Sequence, residues 1–183
     1  PLSDRALGIS NSNAFTGGSG TGKAYYGWRL RNTTGSAITS LTVTWTGEQW
    51  RRISNVNPQT LSLSYQTGTT VTNLTAGVWT SAGSTFTTPQ FGSAAAVALD
   101  GNDPLYRLAN ISVTLTLVIA AGDEIMLRWE DLNDSGNDHL MAIDDVTVVA
   151  NGLYTGVANG DWNTAATWDR NAVSPASANV LIA

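Results

Sequence analysis

The chain contains no cysteine among its 183 residues, so neither a disulfide framework nor a thiolate metal centre is open to it. Its single histidine, His139, excludes H-E-x-x-H and every other multi-histidine zinc site. Charged residues make up only 13% and the formal net charge is −5, which makes nucleic acid and anionic membranes poor partners. Long apolar runs are missing too. The longest candidate, ISVTLTLVIAAG, is broken by Ser112, Thr114 and Thr116 and falls short of the roughly 18 residues of a membrane span. No stretch shows a convincing helical stripe. The chain begins at Pro1 rather than Met, which reads as a processed or excised form, so the lack of a leader says nothing against secretion.

What is present is period-two alternation. WRLRN sets Trp28 and Leu30 against Arg29 and Arg31, and LTVTWT sets Leu41, Val43 and Trp45 against threonines. LSLSY aligns Leu61, Leu63 and Tyr65, and ISVTLTLVI aligns Ile111, Val113, Leu115 and Leu117. IMLRW aligns Ile125, Leu127 and Trp129, and AIDDVTVVA, with Ile143, reads as a further strand. Such alternation of β-branched and aromatic residues predicts half-buried strands with one face to the core. Turn clusters such as NTTGS, SNVNPQ, GNDP, AAGDE and NDSGND separate them. The fold class expected is all-β, an antiparallel two-sheet sandwich over residues 1–150. Residues 151–183 shift towards Asn, Ala and Gly and read as a C-terminal extension, or the start of a second β element.

GGSGTGK places Gly17, Gly22 and Lys23 at the spacing of a phosphate-binding loop. The reading fails on two counts. Ala24 stands where a hydroxyl should hold Mg²⁺, and AYYGWRLRN leaves the loop as a strand where a helix is needed. A surface loop is the better expectation.

The polar cluster is RWEDLNDSGNDHLMAIDDVTV. Asp131, Asn133, Ser135 and Gly136 match the first half of an EF-hand calcium loop, but Ala142 occupies the twelfth position, where a bidentate carboxylate belongs. Seven side chains still supply oxygens: Asp131, Asn133, Asp134, Asn137, Asp138, Asp144 and Asp145. Ca²⁺ accepts six to eight oxygens in irregular geometry, so one site from this loop and the next strand is an expectation. The competing account is that Asn and Asp bond to their own backbone and pin a long turn.

LRWEDLNDSGNDHLMAIDDVTV, with SDRALG near the start and TSLTVTWTGEQWR in the middle, resembles a β-sandwich module of large secreted bacterial exoproteins. The AIDDVTV strand is similar to the last strand of MAM-type jelly rolls. The resemblance covers about residues 3–149 and implies a jelly-roll sandwich in an extracellular or bacterial cell-surface setting. It carries over no catalytic motif. For MAM-like jelly rolls it implies that an Asp of the IDD strand, here Asp144 or Asp145, helps hold a cation. The chain departs from the module at Leu140 and Met141, where a small residue is common. The segment from Trp162 to Trp168 resembles the opening of a W-x5-W repeat found in the same exoproteins.

Enzyme readings are weak. His139 lies inside an Asp/Asn turn, where a packed imidazole is the simpler role. Glu48, Glu124 and Glu130 are candidate glycosidase acids; Glu48, among Trp45, Trp50, Arg51 and Arg52, is the most interesting, though an Arg-paired turn carboxylate explains it. Trp28, Trp45 and Trp129 are expected in the core. Trp50, Trp79, Tyr25 and Tyr26 are the residues with which a carbohydrate-binding module would stack on sugars. Triplets N-x-[ST] at Asn32, Asn73, Asn110 and Asn133 arise readily in Thr-rich strands.

The functional expectation is a non-catalytic extracellular module, structural or adhesive, acting by association with itself or with other surface proteins. The extension carries apolar groups that need burial, including Trp162, Trp168, Val180, Leu181 and Ile182. Strand exchange by this extension onto a neighbouring copy would build a filament or surface-layer subunit. The alternative is a carbohydrate-binding module of a secreted enzyme, with glycans as partners. Ca²⁺ is the one cofactor expected.

Overall fold

A computed structural model describes residues 4–151, together with the backbone of 154–155 and 180–181. Eight strands build the sandwich: β1 (Leu7–Ile9), β2 (Lys23–Arg31), β3 (Ile38–Arg52), β4 (Thr60–Gly68), β5 (Thr80–Thr87), β7 (Arg107–Ile119), β8 (Glu124–Leu132) and β9 (Leu140–Asn151). A two-residue β6 (Val97–Ala98) adds to the end of β3. One sheet runs β1-β9-β3-β7, the other β2-β8-β4-β5, and every pairing between these strands is antiparallel. Apart from the β4–β5 hairpin, successive strands of the eight alternate between the sheets, as in the jelly roll expected. Among the described residues the one helix, α1 (Asn13–Thr16), is a single turn that no apolar periodicity announces. Among the described residues no helix is long and apolar enough to cross a membrane.

The alternation places side chains as the sequence predicts. Leu41, Val43 and Trp45 of β3 meet Leu61 and Leu63 of β4 and Ile125, Leu127 and Trp129 of β8 in the core. Trp45 and Trp129 cross edge to face at 5.9 Å, and Trp45 Nε1 donates to Ser84 Oγ at 3.0 Å. On the outward face of β3, Thr42 and Thr44 pair hydroxyl to hydroxyl with Thr114 and Ser112 of β7, each at 3.0 Å.

Two expectations need correction. β8 is buried on both faces, not one, because it is central in its sheet and the β4–β5 connection folds over the outside. Val71 N–H donates to Glu124, Arg128 donates to the Leu74 carbonyl, and Leu74 fills the space that a side chain at Gly27 would need. Trp28 is the second case, 40% exposed instead of buried. It lies on the edge strand β2, and β1, which would have to wall it in, spans only Leu7–Ile9 against Met141–Ile143.

Candidate functional site

The Asp/Asn cluster divides between two places. Asp131 is the last inward position of β8, on the same face as Leu127 and Trp129, and is 1% exposed with no partner for either carboxylate oxygen. Burial, then the nearby Asp138 and Asp134, pushes its carboxyl up to about 8. Burial likewise raises Asp138 to about 6. Asn11, just after β1, donates Nδ2–H to the Asp131 carbonyl at 2.9 Å, which leaves its buried Oδ1 without a partner. Asn11 and Asp138 line one cavity of about 230 Å³ with Ser10, Ser12, Asn13 and Asn137.

The turn 133–139 is itself held rigidly. Asp138 Oδ1 accepts Asp134 N–H at 2.8 Å, Asn55 donates to the Ser135 and Asn137 carbonyls, and Gln59 Oε1 accepts His139 N–H at 2.6 Å. Turn pinning therefore accounts for part of the cluster. His139 is fully buried, its Nδ1 accepts Ile53 N–H at 3.1 Å, and burial lowers its pKa. That is the packed imidazole expected of a turn residue.

Asp144 and Asp145 do not join this group. Strand β9 carries a bulge at Asp145, whose φ is +49°, and Asp144 turns outward beside Asp4 and the fully buried Glu48. Thr46 Oγ1 donates to Asp145 at 3.1 Å and Asp145 N–H donates to Asp144 at 2.7 Å. The single seven-residue cation site is thus corrected: alternation sends Asp131 into the core and Asp144 to the outer face of the opposite sheet. Among the described residues no three His, Asp or Glu side chains converge as a metal cluster. Glu48 Oε2 accepts Trp50 Nε1–H at 2.8 Å, its Oε1 is unpartnered, and burial raises its pKa.

The glycine-rich loop serves the Asp/Asn turn. Asn133 Nδ2 donates to the Gly17 carbonyl at 2.6 Å, Asn133 N–H to the Gly22 carbonyl, and Gly20 N–H to the Asn133 carbonyl. A side chain at Gly22 would collide with the Thr16 and Gly17 carbonyls. Lys23, the would-be phosphate ligand, is paired with Glu130 at 2.6 Å. Gly22 is there for close backbone approach, and Gly17 and Gly20 for their positive φ of 92° and 76°.

The four aromatic residues of the sugar-binding alternative are not brought together. Trp50 stands on β3 in one sheet; Tyr25 stands on β2 in the other and Trp79 at the end of the β4–β5 connection; Tyr26 is buried, its hydroxyl directed to the Met141 carbonyl. Tyr25 and Trp79 instead sandwich the Arg128 guanidinium, 4.5 and 3.9 Å from the ring centres. Nothing in their sequence spacing announces that stack, since Arg128 comes from the central strand.

Among the described residues, one side of the sandwich stands open. Among those described residues, β9 beyond Ile143 pairs only with β3, and β2 only with β8, so two sheet edges face each other. Between them lie two clefts of about 320 and 270 Å³, and Trp28 lines both. Leu7, Ile143 and Val146 line the first, Leu30 and Val148 the second. Of the extension, Tyr154–Thr155 pairs in parallel with Val180–Leu181. Trp162, Trp168 and Ile182, and the side chains of Val180 and Leu181, lie outside the described residues. No protein-family model matches the chain, and no curated protein matches it significantly.

Proposed function

We propose that the chain is a non-catalytic extracellular module that works by association, the extension of one copy entering the open cleft beside Trp28 on the next. The observation that carries this is the unfinished side of the sandwich. An indole 40% exposed between two unpaired strand edges is an apolar surface joined to free N–H and C=O groups. An added strand satisfies both requirements at once. The extension follows β9 directly at Asn151 and carries apolar residues in need of cover. The short pairing of Tyr154–Thr155 with Val180–Leu181 removes one ground for strand exchange, that the final strand lacks a partner; the cleft replaces it as support.

Packing of His139, the Trp50 hydrogen bond on Glu48 and the Arg128 filling between Tyr25 and Trp79 all favour association over catalysis or sugar stacking. The test is light scattering on the full chain, on residues 1–151 and on Trp28→Lys. Concentration-dependent oligomers of the full chain, reduced to monomers in both variants with unchanged circular dichroism, are expected. A full chain that stays monomeric at high concentration, with its tryptophans shielded from quencher, means that the extension folds back on its own domain, and association is refuted.

A further inference from the structure

We propose that Asp131, Asn11 and Asp138 bind a divalent cation of the calcium type, where β8 runs into the 133–139 turn. The inference is independent of self-association. It begins with a carboxylate whose placement costs free energy that nothing else in the structure offsets. Asp131 is 1% exposed, and neither of its oxygens has a hydrogen-bond donor. Buried carboxylates are normally paired with an arginine or lysine, hydrogen-bonded, or bound to a metal. The carboxylates of Asp138 and Asp134, of the same sign, add to the burial that raises the Asp131 pKa.

The second observation is Asn11. Its Nδ2–H is committed to the Asp131 carbonyl, which fixes the amide orientation and turns Oδ1 away as a free acceptor. Asn11 is 5% exposed and lines the same cavity of about 230 Å³ as Asp138. The Asn11 Nδ2–H bond to the Asp131 carbonyl thus ties together two residues, one from β8 and one from the segment after β1, that each carry buried acceptors without a partner. A cation satisfies acceptors where a further side-chain acceptor cannot.

The donor set selects the ion. Oxygen is the donor atom throughout, with no thiolate in the chain; the only imidazole, His139, uses Nδ1 to accept Ile53 N–H, and its buried Nε2 has no partner. Hard oxygen donors suit Ca²⁺, which tolerates irregular shells of six to eight ligands. Since no three carboxylate or imidazole side chains converge among the described residues, the remaining ligands are to be drawn from the Ser10–Asn13 lining, backbone carbonyls and water. Asp144 and Asp145 are not part of the site.

The experiment uses the full chain, stripped with chelator and titrated with CaCl2 by calorimetry, with melting followed in Ca²⁺ and in EDTA. Tb³⁺ serves as an optical probe, because Trp129 lies two positions before Asp131 on the same face of β8 and can sensitise its emission. Saturating Ca²⁺ at about a hundred times Kd is expected to raise Tm by about 5–10 °C. Asp131→Asn, which substitutes a neutral side chain of the same shape, is expected to lose that rise and the Tb³⁺ emission while melting no lower than wild type in EDTA. Should Asp131→Asn fail to fold, Asn11→Ala decides: loss of the Ca²⁺-dependent rise supports the site. Equal wild-type melting in Ca²⁺ and EDTA with no heat and no Tb³⁺ emission overturns it. So does a Ca²⁺ effect that survives undiminished in Asn11→Ala.

Discussion

Gly47→Ala tests how the two sheets are held at their working distance. Gly47 lies on β3 just past the bulge at Trp45 and is flanked by Leu108 on β7 and Ile143 on β9. It faces the core, where the Phe86 ring from the opposite sheet rests directly on its backbone. A methyl group at this position would fall inside van der Waals contact of Phe86 Cβ, Cγ and Cδ2 at once. Strand β3 has neighbours on both sides and cannot back away, so the ring has to move. Overpacking of this kind costs about 1–3 kcal/mol. The smaller unfolded-state entropy of alanine returns about 0.5–1 kcal/mol, leaving a net loss near 2 kcal/mol if the steric cost sits at the upper end. At about 2–4 °C per kcal/mol for a chain of this size, Tm falls by about 4–8 °C. The decisive form is a double-mutant cycle with Phe86→Leu, which should cost about 1–2 kcal/mol alone by leaving space. In the Phe86→Leu background the added methyl has room, so the double variant should be more stable than additivity predicts by about 1 kcal/mol or more. Urea denaturation followed by tryptophan fluorescence reads all four proteins. A Gly47→Ala protein within 0.5 kcal/mol of wild type, or an additive cycle, would refute the packing argument.

Arg128→Met should free the β4–β5 connection, because it removes the donor to the Leu74 carbonyl at 2.8 Å and the filling between Tyr25 and Trp79. A loss of about 2–3 kcal/mol is expected, with amide exchange accelerating at Val71–Ala76 while β3 and β9 keep their protection; a uniform change across the sandwich would contradict it. Glu48→Gln should leave stability at neutral pH unchanged or improved. The Glu48 pKa is raised chiefly by burial, so its ionisation costs native stability as pH rises from the ordinary carboxylate range through the native value. Stability measured against pH should fall through that window in wild type and flatten in the variant; parallel curves would disprove the assignment.

The sandwich was legible because its strands alternate and their apolar faces are continuous. Leu41-Val43-Trp45 and Leu61-Leu63 state which side is inward without reference to any partner strand. What alternation cannot express is a strand's position in its sheet. Trp28 and Trp129 carry the same local signal, yet Trp129 is buried on a central strand and Trp28 is half open on an edge. Arg128 is polar and alternates outward like Arg29, but the β4–β5 connection closes over it, and only its long-range partners distinguish the two. Burial of an outward face depends on which loop crosses it, a tertiary fact that no window of sequence contains.

The candidate site shows the same boundary from the other side. The richness of NDSGND in oxygen was visible, and so was its capacity for turns; the structure shows the turn bonds, and the cation is proposed. Asn133, Asp134 and Asn137 are engaged in pinning the turn and docking the glycine loop, through bonds such as Asn133 Nδ2–H to the Gly17 carbonyl. Asp131 is the member left over, and it is distinguished by parity: it continues the inward series Leu127, Trp129. That parity could have been read from the sequence, since alternation assigns any residue two steps beyond an inward tryptophan to the core. Asn11 could not, because the antiparallel match of β1 with β9 is what carries the segment after Ile9 to the end of β8, 120 positions away. The proposed cation site therefore rests on a buried acid at the end of an alternating apolar series, not on the number of carboxylates around it. Asp138 has Asp134 N–H as a donor, and the Asp131 carboxylate has none.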